Sequence, residues 1–313
     1  MGRPLHSGSA GHEDIPVTAG VQTLRTPAAD GIPGTRDRTP WLVVPATFLI
    51  AIILLFPILL LFRYSLNRYD RLEFMVEAFS IENYVRFFTD SFYRDVLWRT
   101  IQIAFISTAA TLVLALPVAY FVARAPAKWK SALIMLTVFP LFVGNAVRAA
   151  GWMAVMGNGG FLNRSLIGLG IIDQPIEILF TPTAVVVGII AVVLPFMILS
   201  IQSVLETVSV SLEEAAQNLG ATPLQAFRRV VLPLAMPGVI AGTLLVFILC
   251  MNAYATPVLL GGPRFHVMAP KVYEQITEQS NWPFGAALAF VLMFSTLILS
   301  VLSAWIVQRR YTR

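Results

Sequence analysis

The sequence predicts an all-α polytopic membrane protein with six transmembrane helices. Three observations carry this. Only 12% of the 313 residues are charged and 57% are hydrophobic, whereas a soluble domain carries roughly 25% charge. Mean hydropathy is +0.75. The apolar residues also gather in blocks of about 20, the length that crosses a hydrocarbon core of about 30 Å. These features exclude a water-soluble enzyme. The single cysteine, Cys250, excludes an intrachain disulfide and a multi-cysteine metal site. Three histidines leave little for a metal centre, and no cofactor is expected. The +5 net charge fits membrane topology rather than nucleic-acid binding.

Residues 1–40 are rich in Gly, Pro, Thr, Asp and Arg without apolar periodicity, so a disordered tail is expected there. The remainder, 41–313, opens with an apolar block at about 41–62. No small-residue cleavage site closes it, and it is expected to stay as the first span. Further blocks lie at about 100–122, 132–156, 183–204, 235–260 and 285–307. Gly144, Asn145 and Arg148 interrupt the third, and Asn252 and Pro257 interrupt the fifth. Both still count as spans, because bundle neighbours satisfy a broken helix. None of the six blocks holds Asp, Glu or His.

Basic residues set the expected orientation. The loop after the second span holds Arg124, Lys128 and Lys130 without an acid, and the C-terminal tail holds Arg309, Arg310 and Arg313. Both termini are therefore expected in the cytoplasm. The same orientation puts a long loop, about 205–234, on the inner side. Within it, Ser211 and Glu214 have capping-box spacing, so a helix is expected from Leu212. Gly220 suits the left-handed position that ends it. Thr222, Pro223 and Gln225 then open a second helix, which Pro233 breaks or kinks.

Glu214-Ala215-Ala216, Gly220, Val230, Leu232 and Pro233 match the pattern E-A-A-x3-G-x9-I-x-L-P. The one departure is Val230 for Ile. This pattern resembles the EAA loop of ABC-importer permeases. From about Ile81 to Arg310 the chain is similar to the first permease of the spermidine/putrescine branch. The stretches that carry the likeness include Asn83-Tyr84, Pro117-Val118-Ala119-Tyr120, Gly159-Gly160-Phe161-Leu162-Asn163, Gly261-Gly262-Pro263 and Asn281-Trp282-Pro283-Phe284-Gly285. The resemblance implies the type I importer permease fold, with a coupling loop at Glu213, Glu214, Ala215, Ala216, Gly220, Val230, Leu232 and Pro233. It also implies two ATP-binding subunits, a second homologous permease and a periplasmic solute-binding protein as partners. ATP hydrolysis is expected in another subunit, because this chain has no G-x-x-x-x-G-K-[ST] loop.

Cargo stays open between polyamines and other small nitrogen compounds such as opines or aminophosphonates, which relatives in the branch carry. Candidate pathway residues are Arg148, Asn252, Tyr254, Thr256 and Pro257. Arg148 reads either as a pathway residue or as a side chain snorkelling to the interface beside Trp152. The polar residues of span five read either as a passage lining, with a gating kink at Pro257, or as interhelical hydrogen bonds. Tyr84, Phe87 and Phe88 suit an interfacial helix. Glu274, Gln275, Glu278 and Gln279 recur at helical spacing and suit either a binding-protein contact or a solvated face. Rival classes fit less well. An ion-driven transporter usually has intramembrane carboxylates, and an intramembrane hydrolase needs His or Asp within the bilayer.

Overall fold

A computed structural model describes Gly2 and residues 39–311. The tail expected over 1–40 lies outside the described residues except for its ends. The terminal arginine Arg313 also lies outside them. The chain divides into two units, 1–56 and 57–313.

Helix α1 (Thr39–Ser65) contains an apolar stretch of mean hydropathy 2.4 over 47–65. In the second unit, Arg63 donates to Ala78 O at 2.9 Å, and Asn83 Nδ2 donates to Ser65 O and Asn67 O at 2.9 and 2.8 Å. These bonds tie the end of α1 to the short helix α2 (Glu82–Thr89). Phe87 is buried in α2 and Phe88 is exposed, the amphipathic division expected of an interfacial helix.

Helix α3 (Ser91–Arg124) is capped by Asp90, whose side chain accepts from Phe92 N. At 34 residues it is about 51 Å long, so it outruns the block read from hydropathy at its N-terminal end. The third apolar block is a bent pair rather than one rod. Helix α4 (Ala127–Val138) continues through a 3₁₀ turn to Phe142, and α5 (Asn145–Met156) leaves at 93°. Pro140 and Gly144 are the cause, since proline withholds an N–H and Gly144 takes an extended conformation ahead of α5. Arg148 does not interrupt anything; it lies inside α5.

Helix α6 (Phe161–Gly168) leads to α7 (Pro182–Leu205), which is capped by Thr181. The loop helices are α8 (Val210–Asn218) and α9 (Pro223–Ala226). A π-helical turn over Phe227–Val231 joins α9 to α10 (Leu232–Met251). Thus 223–251 forms one apolar helix of 29 residues. After a break come α11 (Ala255–Gly261) and α12 (Met268–Tyr273), a π turn over Glu274–Glu278, and α13 (Trp282–Tyr311). Among the described residues, five helices are long and apolar enough to cross a membrane, or six if the bent pair counts as one span. The described residues form no strand beyond one isolated bridge, Arg68 to Val76.

α3, α7 and α10 form the packed centre. Small residues bring them together, with Ala104, Ala115, Ala119 and Ala184 fully buried. At Gly238 a Cβ would stand 2.8 Å from Ser200 O on α7, so only glycine allows this approach of α10. Bulkier side chains, among them Met197, Ile201 and Met251, fill the remaining core.

Candidate functional site

The two regions singled out from sequence differ in construction. In the 205–234 segment, α9 opens as expected. Thr222 accepts from Gln225 N at 3.3 Å, and the Gln225 side chain accepts from Thr222 N at 3.0 Å, completing a capping box. Gly220 has φ +89°. Its N–H reaches Gln217 O at 2.9 Å and that of Ala221 reaches Ala216 O at 3.1 Å, the paired closure that needs a left-handed residue at this point.

The start of α8 differs from the expectation. Ser209, not Ser211, is the N-cap; it accepts from Ser211 N at 3.3 Å, and the helix begins at Val210. The predicted kink at Pro233 is also absent. Pro233 follows the π turn, whose wider hydrogen bonding absorbs the missing N–H without breaking the helix.

The adjacent glutamates point to different surroundings. Glu214 and Ala215 are exposed and Ala216 is half-buried. Leu219 and Leu224, at 89% and 74% exposure, project near the Gly220 turn. Val230 and Leu232 are half-buried and Pro233 is exposed. Glu213 is buried at 6% exposure. Its Oε2 accepts from Tyr120 Oη at 2.7 Å, and its Oε1 accepts from Arg124 Nε at 2.7 Å and pairs with Arg124 Nη2. Arg124 Nη1 also donates to Leu205 O at 3.3 Å and Val208 O at 3.1 Å. The Tyr120 ring packs edge-on against Phe227 with centroids 5.1 Å apart. Removing one member of such a buried pair costs about 3–5 kcal/mol.

Nearby, Gln202 Nε2 and Lys130 Nζ donate to Glu206 Oε1 at 3.0 and 2.9 Å. These bonds, Gln202's first, hold the Glu206 carboxyl below its ordinary pKa.

The second region lies where the two broken spans meet. A cavity of about 430 Å³ is lined by Asn145 and Arg148 of α5, by Val193 and Phe196 of α7, and by Asn252, Tyr254 and Thr256 around the 252–254 break. Four of the five candidate pathway residues therefore converge. Pro257 does not line this cavity and is not the kink. It is buried in the first turn of α11, where a missing N–H costs nothing, and the break precedes it. Arg148 Nη2 donates to Asn145 Oδ1 at 2.5 Å, whereas its Nε and Nη1 are buried without a hydrogen-bond partner. Arg148 is thus among the residues that line the cavity. Asn252 Nδ2 donates to Ile248 O at 2.9 Å, and the Tyr254 and Tyr273 rings lie 5.0 Å apart. No lining residue is acidic.

The helix around 274–279 is amphipathic: Gln275 is buried and Glu278 and Gln279 are exposed. The other motif stretches are structural. Asn163, fully buried, donates to Gly157 O and Ile176 O and accepts from Ile176 N at 3.2, 3.0 and 2.9 Å. Asn281 accepts from Phe284 N at 3.1 Å at the start of α13.

Sequence reasoning missed Tyr120 and Arg124 as site residues, since Arg124 served only as a topology charge. The helical wheel holds the one available signal: Glu213 and Ala216 share a face that Glu214 does not.

A bundle of apolar helices with a projecting helical hairpin and a cavity between broken spans defines a membrane transport component. Residues 94–311 match the family described as binding-protein-dependent transport system inner membrane component, and the chain belongs to that family. It is a multi-pass inner-membrane permease subunit of an ABC importer, not an enzyme. The spermidine/putrescine transport system permease protein PotB of Escherichia coli (strain K12) is 38% identical over 223 residues, covering 71% of this chain and 81% of that protein. The protein of the same name from Haemophilus influenzae is 36% identical over 238 residues, 76% of this chain and 83% of that one. Among solved structures, a bacterial alginate ABC transporter in complex with its alginate pentasaccharide-bound periplasmic protein matches with TM-score 0.73 at 15% identity, over 88% of this chain and 96% of that chain. That likeness concerns the fold.

Proposed function

We propose that this chain forms half of the passage of an importer for polyamines, with a second homologous permease completing it and two ATP-binding subunits driving it. The carrying observation is the α8–Gly220–α9 hairpin, which presents Glu214, Leu219 and Leu224 outward and suits docking into an ATPase cleft. Both termini and this hairpin lie in the cytoplasm, and a periplasmic binding protein delivers cargo to the opposite face. The mechanism is alternating access: closure of the ATPases draws two such hairpins together and opens the far side to the binding protein, and hydrolysis resets it.

Cargo passes the cavity between the broken spans. α10 ends beside it at Met251, and a helix C-terminus carries roughly half a negative charge, which suits an ammonium group. The paired rings of Tyr254 and Tyr273 add π faces that attract cations. The identity to spermidine/putrescine permeases supports the same cargo. One observation favours a second reading, a cargo that also carries an acid group: the cavity is lined by the cation Arg148 and by no carboxylate.

The test is ATP hydrolysis by the reconstituted complex, stimulated by its binding protein loaded with putrescine, spermidine, an opine or an aminophosphonate. Stimulation by the two polyamines alone is expected. Stimulation by the opine or aminophosphonate alone would overturn the polyamine reading and establish the second.

A further inference from the structure

α8 is joined to its neighbours by two short links, Glu206–Ser209 before it and Leu219–Thr222 after it. Links of three or four residues transmit a push poorly, because a few backbone dihedrals absorb the motion. A helix held only by these would swing on them whenever a partner pressed its exposed face. The structure instead holds α8 from the side. Glu213 lies on the face turned away from Glu214, and both of its carboxylate oxygens are engaged by α3, through Tyr120 and Arg124. Arg124 extends the same grip to the Leu205 carbonyl at the end of α7 and to the Val208 carbonyl within the link that follows it. The network is largely buried, with side-chain exposures of 16% for Arg124 and 8% for Glu213. It therefore behaves as a fixed joint, unlike an exposed pair that exchanges with water. Residues 89 and 93 positions apart in the chain thereby make α8, the Arg124 end of α3 and the end of α7 into one body.

We propose that Glu213 is the positioning residue through which motion of α8 reaches α3 directly, bypassing the links to α7 and α9. This rests on reading α8–α9 as the ATPase-docking element. Glu214 belongs to the docking face, and its neighbour Glu213 to the transmission.

The experiment uses the assembled complex in lipid. Nitroxide labels are placed at Asn218 on α8 and Phe121 on α3, both exposed, in a Cys250→Ala background, and distances are read by pulsed electron spin resonance without nucleotide and with ATP and vanadate. With Glu213 present, one narrow distance is expected in both states. Glu213→Ala should widen the distribution about twofold and make it shift with nucleotide, as a locally released element does. Glu213→Gln keeps one oxygen to accept from Arg124 and can donate its amide to the Tyr120 hydroxyl oxygen, so it should restore part of the narrow distribution. Arg124→Lys and Tyr120→Phe each remove part of the joint and should give intermediate widths, and they carry the test if Glu213→Ala does not fold. A distribution in Glu213→Ala as narrow as wild type overturns the proposal. So does a wild-type distance that shifts on nucleotide binding. Failure of the wild-type chain to capture ATP-binding subunits would instead refute the docking reading, and the α3–α8 joint would still be measurable in the permease without nucleotide.

Discussion

Substituting Gly220 by valine isolates the hairpin turn from every other feature of the 205–234 segment. Gly220 sits at φ +89°, and a Cβ built there meets nothing within 4 Å, so steric crowding contributes no penalty. What remains is conformational. A left-handed L residue costs about 1–2 kcal/mol, and held strained conformations reach about 3 kcal/mol, with β-branched side chains at the unfavourable end. Taking about 2 kcal/mol, the population of the observed hairpin falls roughly 30-fold at 1.4 kcal/mol per decade. With it go the bonds from Gly220 N to Gln217 O and from Ala221 N to Ala216 O, so α8 and α9 no longer present Leu219 and Leu224 together. The assay is titration of the detergent-solubilised permease complex with its ATP-binding subunit. Gly220→Val should bind about 30-fold more weakly, while membrane insertion stays unchanged because the turn is exposed. Gly220→Asn should bind close to wild type, since asparagine tolerates left-handed φ. Wild-type affinity in Gly220→Val would refute both the turn argument and the assignment of this hairpin to ATPase docking.

Other outcomes follow from the same structure. For a polyamine cargo, Arg148→Gln should raise the spermidine-to-putrescine uptake ratio about fivefold, because one extra cargo charge near a guanidinium is worth ~1 kcal/mol at partial screening; radiolabelled uptake in proteoliposomes checks this. Asn163→Ala should destabilise the fold by about 1–2 kcal/mol, since it removes the acceptor of the Ile176 N–H while the Gly157 and Ile176 carbonyls keep backbone donors, and thermal unfolding in detergent would read the loss. Glu206 has a depressed carboxyl pKa in the folded chain, so its contribution is complete above the unfolded value of 4.5 and is lost as pH falls through the folded value. Melting temperature should therefore drop more steeply below about pH 4.5 in wild type than in Glu206→Gln.

Local chemistry is what the sequence exposes best. Thr222, Pro223, Gln225 and Gly220 occupy the cap and turn positions read from spacing alone, because each of those motifs closes within about five residues. The interruption after Phe142 was legible for the same reason, in Gly144 and Asn145, whereas the part of Pro140 was not read. Two of the local readings that failed show what outweighs spacing. Ser211 and Glu214 had the spacing of a capping box, yet Ser209 caps the helix, in a register that turns Glu213 toward Arg124. That contact spans 89 residues, and no neighbouring residue announces it. Of the two interruptions read in the fifth span, the one at Asn252 is the break, whereas Pro257 sits in a first helical turn, where it begins a helix.

The convergence of Arg148, Asn145 and Thr256 on one cavity was illegible for a related reason. Their separation in sequence carries no geometric information until α5 leaves α4 at 93°. Polar residues in two separate apolar blocks become one site only because both blocks break beside α7. The same irregularity that weakens each as a transmembrane helix frees backbone groups and side chains to face a common space. The breaks in the third and fifth spans are therefore the features that build the cavity. A substitution restoring regular helix at either break should close the cavity while improving the apparent transmembrane character of the chain.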